Sequence, residues 1–291
     1  MVEILSIKMI AGGDGGLNYP SGICLHNESN MFYISDMHNH RICWLKEDGS
    51  TGAVSNIVIG DDSCSSLGLP LAIWATGQGM LYTADAEHNK IFFKNQQEDV
   101  WKPIRIDSEF SFNLPGGVAV DENGNIFTND FLNNRLVRIT PEGNATVLLE
   151  GDNNISKPYG IFYQCNKLYY VDTGNARVCY INLEDGQIHV FNPQIETKGL
   201  LFPSAITLDE DNNVYICEQR SMYLLDIEKN TLSLIVDRDI WKAQVNKYLV
   251  KDRICHMGSA TVNHKGEIYW VDTIKGCVYC MKIVIDCEVR F

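Results

Sequence analysis

Six near-copies of one phrase run through this chain, and such a period restricts the fold more than any single residue can. Each copy reads Pro-x-Gly/Ala-Ile, then a hydrophobic-aromatic pair, then Asp-x-x-Asn-x-Arg-Ile. The first three are YPSGICL...MFYISDMHNHRI from Tyr19, LPLAIWA...MLYTADAEHNKI from Leu69 and LPGGVAV...NIFTNDFLNNRL from Leu114. The later three are KPYGIFY...KLYYVDTGNARV from Lys157, FPSAITL...NVYICEQRSMYL from Phe202 and MGSATVN...EIYWVDTIKGCV from Met257. Anchored on Pro20, Pro70, Pro115, Pro158, Pro203 and Gly258, the intervals are 50, 45, 43, 45 and 55 residues. Units of about 40 to 50 residues are the size of propeller blades.

Within a copy the pattern is all strand. Three residues before each motif acid stands an aromatic: Tyr33, Tyr82, Phe127, Tyr169, Tyr215 or Tyr269. One residue earlier stands Phe32, Leu81, Ile126, Leu168, Val214 or Ile268. Adjacent strand positions face opposite sides, so both faces of this strand must be covered, as in a sheet stacked between like neighbours. Ring closure is legible too. Met9-Ile-Ala-Gly-Gly-Asp before Pro20 matches Val58-Ile-Gly-Asp-Asp before Pro70, where Gly49 and Gly52 lead to a fourth strand. Residues 2–11 therefore supply a fourth strand to the sixth copy. The expected fold is an all-β, six-bladed β-propeller of four-stranded antiparallel blades, one domain over 1–291, closed by its N-terminal strand.

The phrase Pro-x-Gly-Ile...Tyr-x-x-Asp-x-x-Asn-x-Arg-Ile resembles the NHL repeat, and six copies over essentially the whole chain resemble a stand-alone NHL propeller. That resemblance implies a fold and leaves function divided. Relatives include protein- and RNA-binding modules of tripartite-motif proteins, the peptidylglycine amidating lyase, and strictosidine-synthase-like and lactonase-like enzymes.

Composition narrows the division. A formal charge of −13 argues against nucleic acid and anionic membranes, leaving a neutral or cationic small molecule or a protein partner. No stretch approaches the roughly 18 apolar residues of a membrane span, and no leader pattern opens the chain, so a cytoplasmic protein is expected. Cys24, Cys43, Cys179, Cys217 and Cys280 fall in strand patterns as reduced core thiols. Cys277 and Cys280, three apart on a strand, point to opposite faces and cannot share a zinc ion without a bend.

The repeated Asp36, Asp85, Asp130, Asp172 and Asp272 read as turn-openers, with Asn39, Asn133 and Asn175 serving the turn and Arg41, Arg135 and Arg177 pairing with acids or carbonyls. Departures from the repeat are the better functional signal. The fifth copy has Glu218, Ser221 and Tyr223 where acid, Asn and Arg belong; the sixth has Lys275 and Cys277 for Asn and Arg. Between them lies the longest interval, with a helical pattern of Trp241, Val245, Tyr248 and Asp252, Asp239 as its cap, and Lys251 and Arg253 near its end.

Two strands separate the lead-in turn from the acid turn, so both lie at one end of a blade. The expected pocket is at that mouth near blades 5 and 6, with the helix as lid. Its walls would be Tyr19, Lys157, Phe202, Trp241, Tyr248 and Met257, and its polar groups Glu218, Arg220, Arg253 and His256. His256 would be the general acid or base, Glu218 its partner, and Arg220 or Arg253 the holder of a carboxylate or oxyanion. That set suits hydrolase, lyase or isomerase chemistry. The alternative is a non-catalytic protein-interaction scaffold, with Glu218 a longer motif acid, His256 a cap on the channel and the arginines solvated. No cofactor is implied. Only His256 stands in register for a zinc site, and the inner strands carry no acid for calcium; a channel metal ion is left open.

Overall fold

In the structure, a computed structural model, residues 2–12, 16–60, 63–106, 110–151, 154–195, 199–248 and 256–285 are described. Six sheets stand in sequence order around a channel. From channel to rim, blade 1 is Pro20–His26, Met31–Asp36, Arg41–Lys46 and Thr51–Ala53; blade 2 is Pro70–Ala75, Met80–Asp85, Lys90–Asn95 and Lys102–Pro103. Blade 3 is Pro115–Val120, Ile126–Asp130, Arg135–Ile139 and Ala145–Glu150; blade 4 is Pro158–Gln164, Lys167–Asp172, Arg177–Asn182 and Ile188–Val190. Blade 5 is Ala205–Leu208, Val214–Cys217, Met222–Asp226 and Thr231–Val236, with Gln194–Ile195 added in parallel at its edge. Blade 6 is Met257–Val262, Ile268–Asp272, Cys277–Ile285 and the N-terminal strand Val2–Gly12. The expected propeller and its closure are both present.

Both positions of the hydrophobic-aromatic pair are buried in every blade except at Tyr82, which is half-buried. Alternate faces feed separate inter-blade cores: Phe32 packs towards blade 6 with Tyr269 and Val271, whereas Tyr33 packs towards blade 2 with Leu81 and Trp101. The small third residue of each copy has a steric cause. A Cβ on Gly160 would lie 2.7 Å from Ala205 Cα, and one on Gly22 would lie 2.9 Å from the Leu71 carbonyl oxygen, because inner strands converge on the channel. Proline starts the inner strand where no ladder N–H is needed.

The repeated acids are structural. Asp130 is fully buried and accepts bonds from Asn113 N at 2.6 Å, Asn133 Nδ2 at 2.9 Å and Arg135 Nε at 2.7 Å. Asp36 and Asp172 repeat this with Asn18, Asn39 and Arg41, and with Ser156, Asn175 and Arg177. The second guanidinium arm reaches a lead-in carbonyl: Gly16, Ser111 or Asn154. The motif Asn thus ties the turn, and the left-handed residue is the next one, His40, Asn134 or Ala176.

Three local expectations change. Met257, not Gly258, holds the proline position, since Met257 pairs with Asp272 as Pro20 pairs with Asp36. The fourth strand of blade 1 ends at Ala53, and Val58 instead bridges Trp101 of blade 2. The helix is Arg238–Tyr248, capped by Asp237, whose Oδ1 accepts Ile240 N at 2.9 Å; Asp239 sits in the first turn.

That helix packs against Val2–Gly12 and Thr231–Val236, the outer strands of blades 6 and 5. It follows the outer strand of blade 5 directly, so it fills the rim between two blades and is no lid on the channel mouth. Trp241 is 1% exposed and meets the rings of Trp270 and Tyr279 edge-on at 5.9 and 5.2 Å. Trp241→Ala should therefore cost about 3–5 kcal/mol in urea unfolding; a loss under about 1 kcal/mol would show that the helix is not part of the core.

Cys277 and Cys280 belong to different inter-blade cores, so their thiols do face apart. Cys43 and Cys179 are free thiols, and burial pushes the Cys43 thiol up to about 12 and that of Cys179 to about 11. No helix among the described residues is long and apolar enough to cross a membrane.

Candidate functional site

The end of the ring carrying the acid turns is built from six lead-in residues: Tyr19, Leu69, Leu114, Lys157, Phe202 and His256. Tyr19, Leu114 and Lys157 are left-handed, with φ of 52, 60 and 47°, a conformation costly for residues with a Cβ. Inter-blade bonds offset part of that cost: Leu114 N donates to Asn89 Oδ1 at 2.7 Å and Lys157 N to Asn134 Oδ1 at 2.8 Å. The turns of blades 2 and 3 thereby set the backbone that leads into the next blade's first strand.

Glu218 takes over the motif acid's duty. It is buried, and its Oε1 accepts Leu201 N at 2.5 Å and Phe202 N at 3.1 Å. The longer side chain reaches the same kind of lead-in amides that Asp85 takes from Gly68 and Leu69. These bonds engage Glu218 in holding the loop that carries Leu201 and Phe202.

His256 is half-buried at the mouth, and its backbone N–H donates to Asp272 Oδ1 at 3.3 Å. Its Nδ1 is buried with no hydrogen-bond partner. Burial holds the imidazole below its ordinary pKa; the nearby Asp272 carboxylate opposes this and the Arg220 guanidinium adds to it. His256 is therefore largely neutral at neutral pH, with Arg220 close enough to act on it. Arg220 is exposed and forms no ion pair among the described residues.

The predicted wall residues part company. Tyr19 is 42% exposed and stacks on His38 at 4.4 Å, Lys157 is exposed, and Phe202 is 64% exposed. Met257 is fully buried and belongs, with Trp241, to the core between blades 5 and 6. Both were expected at the pocket surface; the proline-position register of Met257 and the inward face of the helix place them in the interior instead. Arg253 and the side chain of Tyr248 lie outside the described residues.

Tyr159, absent from the residues that the sequence singles out, lines the channel. It stands where the other copies have Ser21, Leu71, Gly116, Ser204 and Gly258, and its phenol comes within reach of Ser21 in the diametrically opposite blade. Burial raises its pKa. The cavity left inside is about 80 Å³, room for a few waters. Among the described residues no three His, Cys, Asp or Glu side chains are grouped to hold a metal ion. Around the braced channel the exposed apolar side chains at this end are Tyr19, Leu132, Leu201, Phe202 and Ile274.

No family model matches the chain, and no curated protein matches it. Solved structures do. Streptogramin B lyase aligns over 96% of this chain and 98% of its own at 13% identity, with a TM-score of 0.67. A gluconolactonase from Xanthomonas campestris aligns over 96% and 89% at 12% identity, TM-score 0.71. A chain of the nidogen/laminin complex aligns over 73% and 78% at 19% identity, TM-score 0.60. The likeness is one of fold.

Proposed function

We propose that this protein is a recognition propeller that docks a protein partner on the end of the ring carrying the acid turns. The observation that carries this reading is the exposed apolar set Tyr19, Leu132, Leu201, Phe202 and Ile274 around a channel braced by Tyr159. Single exposed apolar residues are ordinary; several at one mouth, with Leu201 and Phe202 held out by Glu218, are characteristic of an interaction surface. Lys157 and Arg220 add exposed cations beside them. The reading is that of the NHL-type modules of tripartite-motif proteins, carried by a protein partner rather than RNA because of the chain's acidity. Free thiols suit a reducing, cytoplasmic setting.

The test places a photo-cross-linking amino acid at Leu201 and, as control, at Ile59 on the outer rim, in extract of the cells that make the protein. A discrete adduct from position 201 alone is expected. Leu201→Ser with Phe202→Ser should then lower affinity for that partner at least about 30-fold, the loss of a central anchor, with an unchanged melting temperature. Equal affinity of the double variant would end the proposal.

One observation favours a second reading, a small-molecule lyase, hydrolase or isomerase at the same mouth. It is the unpartnered Nδ1 of neutral His256 beside Arg220, on a fold shared with a streptogramin lyase and a gluconolactonase. In that case His256→Ala removes turnover while partner binding persists.

A further inference from the structure

We propose that the opposite mouth of the channel is a binding cup for an organic ammonium cation. This inference is independent of the docking face and uses none of its residues. The cup holds about 240 Å³ and takes walls from blades 1, 2, 4, 5 and 6. Its floor is Trp74 and Phe162, whose ring centroids lie 5.3 Å apart at 66°. Both rings also line the inner channel, so they part the cup from it, and both remain half-exposed. The faces of aromatic rings attract cations through their quadrupole, most strongly in tryptophan.

Charge at the wall has the matching sign. The Asp209 carboxylate is fixed by bonds from Asp211 N, Asn213 N, Asn213 Nδ2 and Tyr215 OH, all within 3.0 Å. Beside it Glu210 is exposed and bonds to nothing among the described residues. Gln164 ties this wall to blade 4, its Nε2 donating to Asp209 O and Asn212 Oδ1 at 3.0 Å. Around the mouth, the six turns joining first and second strands carry Glu28, Asp121, Glu122, Asp209, Glu210, Asp211 and Glu267, the last paired with Lys282, against a single lysine, Lys265. That lysine is itself paired with Glu47 at 3.0 Å. A walled depression lined by one sign of charge focuses the field and concentrates counter-ions. An aromatic floor below a carboxylate rim is therefore chemistry for R–NH3+ or R–N(CH3)3+, whether a free small molecule or the head of a lysine side chain.

Repeat comparison isolates the same residues. Trp74 and Phe162 occupy the position that is Cys24, Ala119, Thr207 and Thr261 in the other copies. Two large aromatics have replaced small residues at the one place where they can close the channel and face outward.

The experiment titrates the intact chain with tetramethylammonium chloride and, separately, with the peptide N-acetyl-Gly-Lys-Gly-amide. Calorimetry and tryptophan fluorescence read the binding, and glucose is the neutral control. Saturable binding of at least one cation, weakened by added salt and absent for glucose, is expected. Trp74→Leu should weaken it about tenfold, and Glu210→Gln about threefold. Tighter binding of tetramethylammonium assigns a free organic cation; tighter binding of the peptide assigns a basic protein segment. Trp74 also touches the core, so Glu210→Gln, at an exposed position, decides the matter if Trp74→Leu fails to fold. No saturable binding of either cation, or binding that Glu210→Gln leaves unchanged, overturns the proposal.

Discussion

Removal of residues 1–11 is expected to abolish the cooperative unfolding transition of this propeller. Val2–Gly12 pairs along the whole of Cys277–Ile285, from Val2 opposite Ile285 to Gly12 opposite Cys277. Its inward residues Ile4 and Ile7 are 6% and 5% exposed and belong to the core that contains Trp241, Trp270 and Tyr279. Loss of each such aliphatic costs about 2–5 kcal/mol, and the deletion also strips one edge of blade 6 and one wall from the helix. Together these approach the 5–15 kcal/mol that separates folded from unfolded domains. Circular dichroism on heating and in urea should show a broad, shallow change in the deleted chain. Ile7→Ala alone should keep a sharp transition lowered by about 2–4 kcal/mol. A deleted chain that melts as sharply and as late as the intact one would mean the ring does not depend on this strand.

The second large effect concerns the buried acids. Asp130→Ala leaves the Arg135 guanidinium, the Asn133 amide and the Asn113 N–H facing a cavity, each without the carboxylate it donates to. Removing one partner of a buried, hydrogen-bonded ion pair costs about 3–5 kcal/mol, because the remaining charge stays desolvated. Asp130→Asn keeps the shape and part of the bonding and should cost less. Among the described residues Glu218→Ala removes two bonds from backbone amides and no ion pair, so about 1–3 kcal/mol is expected. Denaturant titrations of the three variants should rank in that order. Equal losses would mean that the arginine adds nothing to the turn.

These effects separate what a repeat reveals from what it hides. The Asp-Asn-Arg turns and the covered strand faces are legible because each is made within one copy, or between a copy and its neighbour, by residues at fixed spacing. The closing strand is legible for the same reason, as a half-copy. Tyr159 is not, because its partner Ser21 lies three blades away and only the ring brings them together. Trp241 has the right helical spacing, yet spacing does not say which neighbour the helix faces; blade 6 supplies Trp270 and Tyr279 to receive it. The register of Met257 is hidden by one residue because the sixth copy lacks the proline that marks it, and only the pairing with Asp272 reveals it. A signal for Tyr159 and Trp74 did exist: each is a bulky aromatic where the other copies are mostly small.

The closure of blade 6 also governs the order in which the molecule can be completed. Blades 1 to 5 are continuous in the chain and can stack as each emerges, whereas the strand that precedes blade 1 must wait for the third strand of blade 6. Until then Ile4 and Ile7 are without their core, and the edge of Cys277–Ile285 has an empty neighbour place. A second chain carries the same free strand. At high concentration during refolding, two chains can therefore finish one another's last blade, giving a strand-swapped dimer held by the contacts that close the single ring.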